Sequence, residues 1–218
     1  LRELVVNGKP ETSVLALNCL HRAGGLDQAT IDRALQSANP HVQAEAIAIC
    51  RKAGLVKGAV AALKQLAVRT TESNVQLELA LAAADLAHAE RIDLLRHLMV
   101  AEDPLVRAII VTAAGSDSIQ LVTSDLVPAT DRRSWLQLML PAWSKQVDSA
   151  AKSSIAIAIR EGLELNPDTW LSALRSLPAA SEAQRLLSLV DSDMRAKQIQ
   201  RIEEQIASAI AEPAKHSS

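Results

Sequence analysis

Pro40-His41-Val42-Gln43-Ala44-Glu45-Ala46-Ile47 is the first of three similar stretches along this chain. The other two are Ser73-Asn74-Val75-Gln76-Leu77-Glu78-Leu79-Ala80 and Asp103-Pro104-Leu105-Val106-Arg107-Ala108-Ile109-Ile110. Aligning Val42, Val75 and Val106 gives spacings of 33 and 31 residues. A recurrence at this interval is typical of proteins built from stacked units, because one such unit cannot bury its apolar face alone.

A fourth copy lies upstream, since Ala16-Leu17 within Pro10–Leu20 stands about 30 residues before Ala46-Ile47. Between the copies, apolar residues such as Ile31 and Leu35 recur at helical spacing, and no strand-like alternation is present. The second helices are predicted at Asp27–Ser37, Leu55–Val68 and Glu90–Ala101. Each repeat is therefore predicted to be a pair of α-helices.

The residues at the predicted helix ends agree with this pattern. Asn39-Pro40 and Asp103-Pro104 each place a capping side chain before a proline in the first helical turn, where the missing N–H costs no hydrogen bond. Gly24-Gly25, Gly54 and Gly115 fall where helices should stop. These signals give the predicted helices both a start and an end.

After about residue 116 the repeats become irregular, as expected of the capping units at one end of a stack. Further helices are predicted at 118–127, 131–147, 149–164, 168–177, 181–190 and 193–211. The fold predicted is all-α: a right-handed α-α superhelix, or solenoid, of the HEAT or armadillo type with about six helix pairs. We divide it into regular repeats at 1–127, divergent repeats and a cap at 128–211, and a disordered tail at 212–218.

Composition and charge exclude several classes of protein. The net charge is −2, and the twelve basic side chains of residues 1–110 are matched by twelve acidic ones, so no half of the chain resembles a polyanion binder. The longest apolar runs are far shorter than the roughly 20 residues of a membrane span. The chain begins with Leu1 and lacks a signal segment, so we expect a processed protein or part of a longer one.

Cysteine and histidine give weak candidates for chemistry. Cys19 and Cys50 lie on consecutive repeat helices among aliphatic neighbours, so we interpret them as small core residues rather than a thiol pair. The five histidines are scattered along the chain: His21, His41, His88, His97 and His216. His88 with Glu90 and Asp93 is the nearest approach to a metal site, but a zinc site needs three or four converging ligands. No metal site is predicted.

No nucleophile motif or phosphate loop is found either. Ser149-Ala150-Ala151-Lys152 has the Ser-x-x-Lys spacing without its companion motifs. Trp135 and Trp143 lie near one helical face, one turn after Arg132-Arg133, and we interpret them as core fillers rather than an interaction hot spot. The basic clusters are diluted by nearby acids: Arg51-Lys52-Lys57 and Arg195-Lys197-Arg201. The sequence therefore predicts no catalytic, cofactor-binding or metal residues, and no nucleic-acid or small-molecule partner.

The first half resembles one protein family. The residues that carry the resemblance are Leu15-Ala16-Leu17, Gly24-Gly25-Leu26-Asp27, Ala34-Leu35 and Asn39-Pro40-His41-Val42. They are similar to the HEAT-like segment of large planctomycete and verrucomicrobial proteins that bind haem and resemble membrane-bound dehydrogenases. That segment lies between a β-propeller similar to sugar dehydrogenases and a C-terminal c-type haem domain. The resemblance covers residues 1–127.

The chain departs from that family in two respects. The family often has arginine directly after the repeat valine, whereas Gln43 and Gln76 stand there in this chain and only Arg107 keeps the pattern. Covalent haem also requires Cys-x-x-Cys-His, which this chain lacks. The resemblance therefore implies that any haem belongs to a neighbouring domain and that this segment holds no cofactor.

The leading hypothesis is a non-catalytic scaffold whose partner is a protein or a neighbouring domain of the same polypeptide. The resemblance implies a periplasmic or other extracytoplasmic setting and a parent protein that is an oxidoreductase. The alternative is a helical-repeat enzyme or binder acting on nucleic acid or a tetrapyrrole. Its sign would be a pocket of converging acids or aromatic residues around Trp135, Trp143 and Asp168.

Overall fold

The structure is a computed structural model, and it describes residues 1–115, 118–122, 127, 129–145 and 149–190. The described residues form helices, turns and loops, with no β-strand among them. Contacts between Cα atoms divide the chain into unit 1, Leu1–Asp131, and unit 2, Arg132–Ser218. None of the helices in the described part of the chain is long and apolar enough to span a bilayer.

Thirteen helices lie within the described ranges. Nine begin in unit 1 before residue 123: α1 Arg2–Asn7, α2 Pro10–Arg22, α3 Gln28–Leu35, α4 Pro40–Lys52, α5 Val56–Arg69, α6 Ser73–Ala83, α7 His88–Leu98, α8 Pro104–Ala114 and α9 Ser118–Val122. The others are α10 Ala129–Ser144, α11 Ser149–Leu165, α12 Pro167–Arg175 and α13 Ala180–Leu187. The all-helical prediction is confirmed for these residues.

The four stretches aligned in the sequence each form one helix in the same register. The helices α2, α4, α6 and α8 begin at the equivalent residues Pro10, Pro40, Ser73 and Pro104. The predicted caps are present at two of them. Asn39 Oδ1 accepts hydrogen bonds from the backbone N–H groups of His41 and Val42, at 2.9 and 3.3 Å. Asp103 does the same at the start of α8, with distances of 2.8 and 3.2 Å.

Glycine ends two of these helices through a left-handed backbone conformation. Gly24 and Gly54 have φ angles of 66° and 69°, which residues with a Cβ rarely adopt. After α2, the N–H groups of Gly24 and Gly25 donate to the carbonyls of His21 and Leu20, which closes a Schellman motif. The same pattern follows α4. The predicted stops are therefore confirmed, and each chain reversal places the next helix beside the last one.

The helices of unit 1 pack in two rows. The even row consists of α2, α4, α6 and α8, each of which packs on the next member of that row. The odd row consists of α1, α3, α5, α7 and α9, which pack in the same successive manner. The rows are joined by contacts such as α3 with α4 and α6 with α7.

Aliphatic side chains fill the space between the rows. Val42, Val75 and Val106, the residues used to align the repeats, are 2%, 0% and 1% exposed, so they share one kind of environment. Leu63 and Leu95 of the odd row are fully buried as well. The helical periodicity recognised in the sequence therefore corresponds to the buried faces of these helices.

Unit 2 is described through residue 190. In it, α11 packs on α12 and α13, and α12 packs on α13. The indole rings of Trp143 and Trp170 lie 6.4 Å apart between centroids and are tilted by 31°. Trp170 occupies space that opens only because Gly162 of α11 has no Cβ. The amphipathic stretch predicted at 193–211 and the tail at 212–218 lie outside the described residues.

Candidate functional site

The groove between α5 and α7 is the candidate site in unit 1. It has a volume of about 400 Å³ and is lined by residues of both helices, chiefly Lys64, His88, Glu90, Asp93 and Arg96. His88, Glu90 and Asp93 are the residues that the sequence singled out as the nearest approach to a metal site. The structure brings them to one groove, together with two cations that sequence spacing did not connect to them.

An ion pair crosses this groove. Lys64 Nζ on α5 lies 2.6 Å from Asp93 Oδ2 on α7. The hydrogen bond from Lys64 holds the pKa of the Asp93 carboxyl below its ordinary value of 3.8, although partial burial opposes the shift. The charges of Lys64, His97 and Arg96 act in the same direction as the hydrogen bond. Asp93 is therefore ionised at neutral pH and is already bound by a cation.

This pairing favours a charged contact surface over a metal site. Among the described residues, no group of three or more His, Cys, Asp or Glu side chains is placed to hold a metal ion. Arg96 Nε is buried and forms no hydrogen bond within the described part of the chain. The groove thus offers charges of both signs.

The other histidines that the structure describes do not line this groove. His41 is exposed at the start of α4, and His21 is half-buried in the last turn of α2. His97 is half-buried on α7 and contributes only its charge near Asp93. His216 lies outside the described residues.

The two cysteines are free thiols in different surroundings. Cys19 is exposed, whereas Cys50 is fully buried. Burial raises the pKa of the Cys50 thiol to about 11, and the negative charge of Asp32 adds to the shift. A thiol with so high a pKa is a poor nucleophile and metal ligand at neutral pH. The prediction that both cysteines are core residues is therefore confirmed for Cys50 and wrong for Cys19, which faces solvent from α2.

A hydrogen bond recurs at the position that follows each aligned valine. Gln43 Nε2 donates to the Ser37 carbonyl at 2.6 Å, and Gln76 Nε2 donates to the Thr70 carbonyl at 3.3 Å. Arg107 Nε reaches the carbonyl six residues before it in the same way, at 2.6 Å. Glutamine therefore replaces arginine at this position without loss of the contact. The sequence suggested a departure here because residue type alone does not show which atom a side chain reaches.

Polar contacts also link successive helices of the even row. Asn18 Nδ2 on α2 donates to Glu45 Oε1 on α4 at 3.0 Å, and Arg51 Nη1 on α4 donates to Glu78 Oε2 on α6 at 3.3 Å. Arg51 Nε lies 3.6 Å from Asp85 Oδ2 as well. Arg51 is therefore engaged by two carboxylates and does not extend a basic patch toward a phosphate backbone.

The tryptophans singled out by the sequence are buried rather than presented to a partner. Trp135 and Trp143 are 0% and 2% exposed, so neither forms an exposed hot spot beside Arg132-Arg133. Asp168 is exposed at the first turn of α12. The groove that Trp143 lines contains basic side chains and no acid among its described residues. The alternative hypothesis looked for converging acids or aromatic residues here, and it stays a prediction. Lys152 of the Ser149–Lys152 spacing is exposed, and Arg195-Lys197-Arg201 lies outside the described residues.

Comparison with known proteins returns no match to a family model, to a curated protein or to a solved structure. The family resemblance carried by residues 1–127 therefore remains a prediction.

Proposed function

We propose that this chain is a non-catalytic helical-repeat scaffold of the HEAT type, a right-handed superhelix of about six helix pairs that docks another protein or a neighbouring domain. The observation that carries the proposal is the successive packing of α2, α4, α6 and α8 from the same starting register. Stacks of this kind suit docking because every added pair extends a continuous surface.

The groove between α5 and α7 is the contact region we assign to the partner. Its Lys64–Asp93 pair crosses two successive odd-row helices, and the half-buried Arg96 side chain lines the same groove. Charge pairs that are desolvated by a partner add specificity and can add affinity. A partner with a carboxylate toward Arg96 and a cation toward Glu90 fits this arrangement.

The resemblance of residues 1–127 supplies the identity of the proposed partner. By that resemblance, the partner is the propeller domain or the c-type haem domain of one extracytoplasmic polypeptide, and the redox chemistry belongs to those domains. This chain then serves as spacer and docking surface and holds no cofactor itself.

The test begins with the coding sequence that flanks this segment, which should encode a propeller before it and a Cys-x-x-Cys-His motif after it. The neighbouring domains are then produced separately and titrated against this chain. Asp93→Lys breaks the pair and reverses one charge in the groove, so we expect the dissociation constant to rise by about tenfold or more.

Glu161→Lys on α11 is the matched control, since it makes the same change of charge at an exposed residue of unit 2. It should bind as the unaltered chain does. Equal affinity of the unaltered chain, Asp93→Lys and Glu161→Lys would refute the role of the groove in docking. Flanking coding sequence without a propeller or haem domain would refute the proposed partner. A Soret shift on adding haem, or a salt-sensitive DNA mobility shift, would favour the alternative class instead.

A further inference from the structure

A second groove lies in unit 2, beside the end of α10, the first turn of α11 and the C-terminal end of α13. Its volume is about 360 Å³, and its main lining residues are Trp143, Lys145, Lys152, Arg185, Leu186 and Leu189. This volume falls within the range of pockets that hold small organic ligands. Leu186 and Leu189 give the groove an apolar part, and three helices contribute to its walls.

The walls of this groove are held by contacts deeper in unit 2. Trp143 is buried against Trp170, which itself lies against α11 where Gly162 leaves space. Arg185 Nη1 donates to the Ser144 carbonyl at 3.1 Å and so joins α13 to the end of α10. This bond positions the Arg185 guanidinium while its other N–H groups remain available for a ligand.

Three cations line the groove, and the lining residues that the structure describes include no carboxylate. Lys145, Lys152 and Arg185 come from different helices or helix ends, and none is ion-paired with any described residue. Glu182 is one turn before Arg185 on α13, but it neither lines the groove nor pairs with Arg185. The α5–α7 groove differs, because there Lys64 is bound by Asp93.

Lys152 lies close to the positive end of a helix dipole. It lies in the first turn of α11, which begins at Ser149 and contains no acidic residue in that turn. The N-terminal end of a helix carries partial positive charge, so a lysine there is unfavourable unless an anion is near. Among the described residues, the three side chains therefore produce one region of positive potential beside the apolar part of the groove.

We propose that this groove binds a phosphate monoester carried on a compact apolar body. A phosphate monoester has a charge of about −1.5 to −2 at neutral pH and three strong acceptor oxygens, which matches three convergent cations. A carboxylate has a single charge and two oxygens, and so would leave part of this positive charge unmatched. The apolar body lies against the half-buried Leu189, beneath which Leu186 is fully buried. This site is independent of the docking groove of unit 1.

The probe is phenyl phosphate, titrated calorimetrically into the whole chain, with inorganic phosphate and benzoate as the two partial ligands. We expect phenyl phosphate to bind at one site, at least about tenfold more tightly than either partial ligand, because only it uses both the cations and the apolar wall. Replacing both lysines, Lys145→Gln with Lys152→Gln, should weaken its binding by about tenfold or more.

The matched control is Lys52→Gln with Lys57→Gln, which removes the same charge from exposed lysines of unit 1. It should leave the affinity unchanged. Absence of phenyl phosphate binding, an equal loss in both double variants, or equal binding of inorganic phosphate would overturn the proposal. If the Lys145→Gln, Lys152→Gln protein fails to fold, NMR chemical shifts of the unaltered chain test the proposal instead. Adding phenyl phosphate should change the amide and indole shifts around Trp143 and Arg185 and leave those around Lys52 unchanged.

Discussion

Unit 1 and unit 2 bury different kinds of side chain. All three tryptophans, Trp135, Trp143 and Trp170, follow residue 131 and belong to unit 2, while the chain has no Phe or Tyr. The core of unit 1 is therefore aliphatic, with residues such as Ile47 and Leu79 fully buried. The described core of unit 2 contains buried aliphatic side chains as well, and it adds three large indoles to them. The predictions below rest on that difference.

The largest expected effect is that of Trp170→Ala in unit 2. Removing a buried indole should lower the free energy of unfolding by about 3–5 kcal/mol, because the surrounding structure cannot collapse into so large a cavity. Ile47→Val in unit 1 should cost only about 0.5–1.5 kcal/mol. Urea unfolding followed by far-UV circular dichroism measures both. A loss for Trp170→Ala no larger than that for Ile47→Val would remove the contrast between the units.

Gly162 in unit 2 and Gly58 in unit 1 both lie within helices, so adding one methyl group at each compares how tightly the two units are packed there. A Cβ at Gly162 would meet the rigid Trp170 indole, so Gly162→Ala should destabilise unit 2 by about 1–3 kcal/mol. A Cβ at Gly58 of α5 would meet the far end of the Gln28 side chain, which can move at the cost of its hydrogen bond to Asp32.

Gly58→Ala should therefore change stability little, because the gain of about 0.5–1 kcal/mol from removing a helical glycine offsets the small displacement. Thermal unfolding midpoints of the two variants provide the measurement. Equal shifts would show that Trp170 is not held rigidly against α11.

The hydrogen bond that follows each aligned valine recurs in unit 1, so the loss of any one copy should have a modest effect on stability. Gln76→Leu leaves the buried Thr70 carbonyl without its side-chain donor and should cost about 1–3 kcal/mol. Gln76→Arg should cost less, since Arg107 makes the equivalent bond one repeat later. Urea midpoints compare the two, and a larger loss for the arginine variant would contradict the equivalence.

The smallest expected effect is the pH dependence of the Lys64–Asp93 pair. Because its pKa is lowered in the folded state, Asp93 contributes stability above its ordinary pKa of 3.8, and this contribution is lost as the pH falls through the folded value. Asp93→Asn should therefore cost about 0.2–1 kcal/mol near pH 7, since the Asp93 side chain is 46% exposed.

The difference between the aspartate and asparagine proteins should fade below about pH 4. Lys152→Gln in unit 2 is the control, because this lysine has no ion-pair partner among the described residues. Its effect on the urea midpoint should be small and independent of pH over that interval. A cost for Asp93→Asn that does not decrease at all between pH 7 and pH 3 would show that the carboxylate charge is not its source.

Much of unit 1 was predictable because its helix boundaries depend on neighbours in sequence. Asn39 and Asp103 cap helices through N–H groups two and three residues away, and Gly24 and Gly54 end helices through their own backbone freedom. The second helices were also predicted within a few residues, for example Leu55–Val68 against the observed Val56–Arg69. The sequence singled out His88, Glu90 and Asp93 as a possible metal site, but it did not predict that Lys64 would pair with Asp93.

The sequence alone was enough to predict the helices, where they start and stop, and which faces they bury. Capping, glycine conformation and apolar periodicity each act over a few residues. Folding alone brought Lys64 to Asp93, Trp143 to Trp170 and Lys145 toward Arg185. These contacts depend on the packing register of each helix against its neighbour, which is set by side chains many residues apart in the sequence. The same helices packed one turn out of register would pair different charges, and both grooves would change with them.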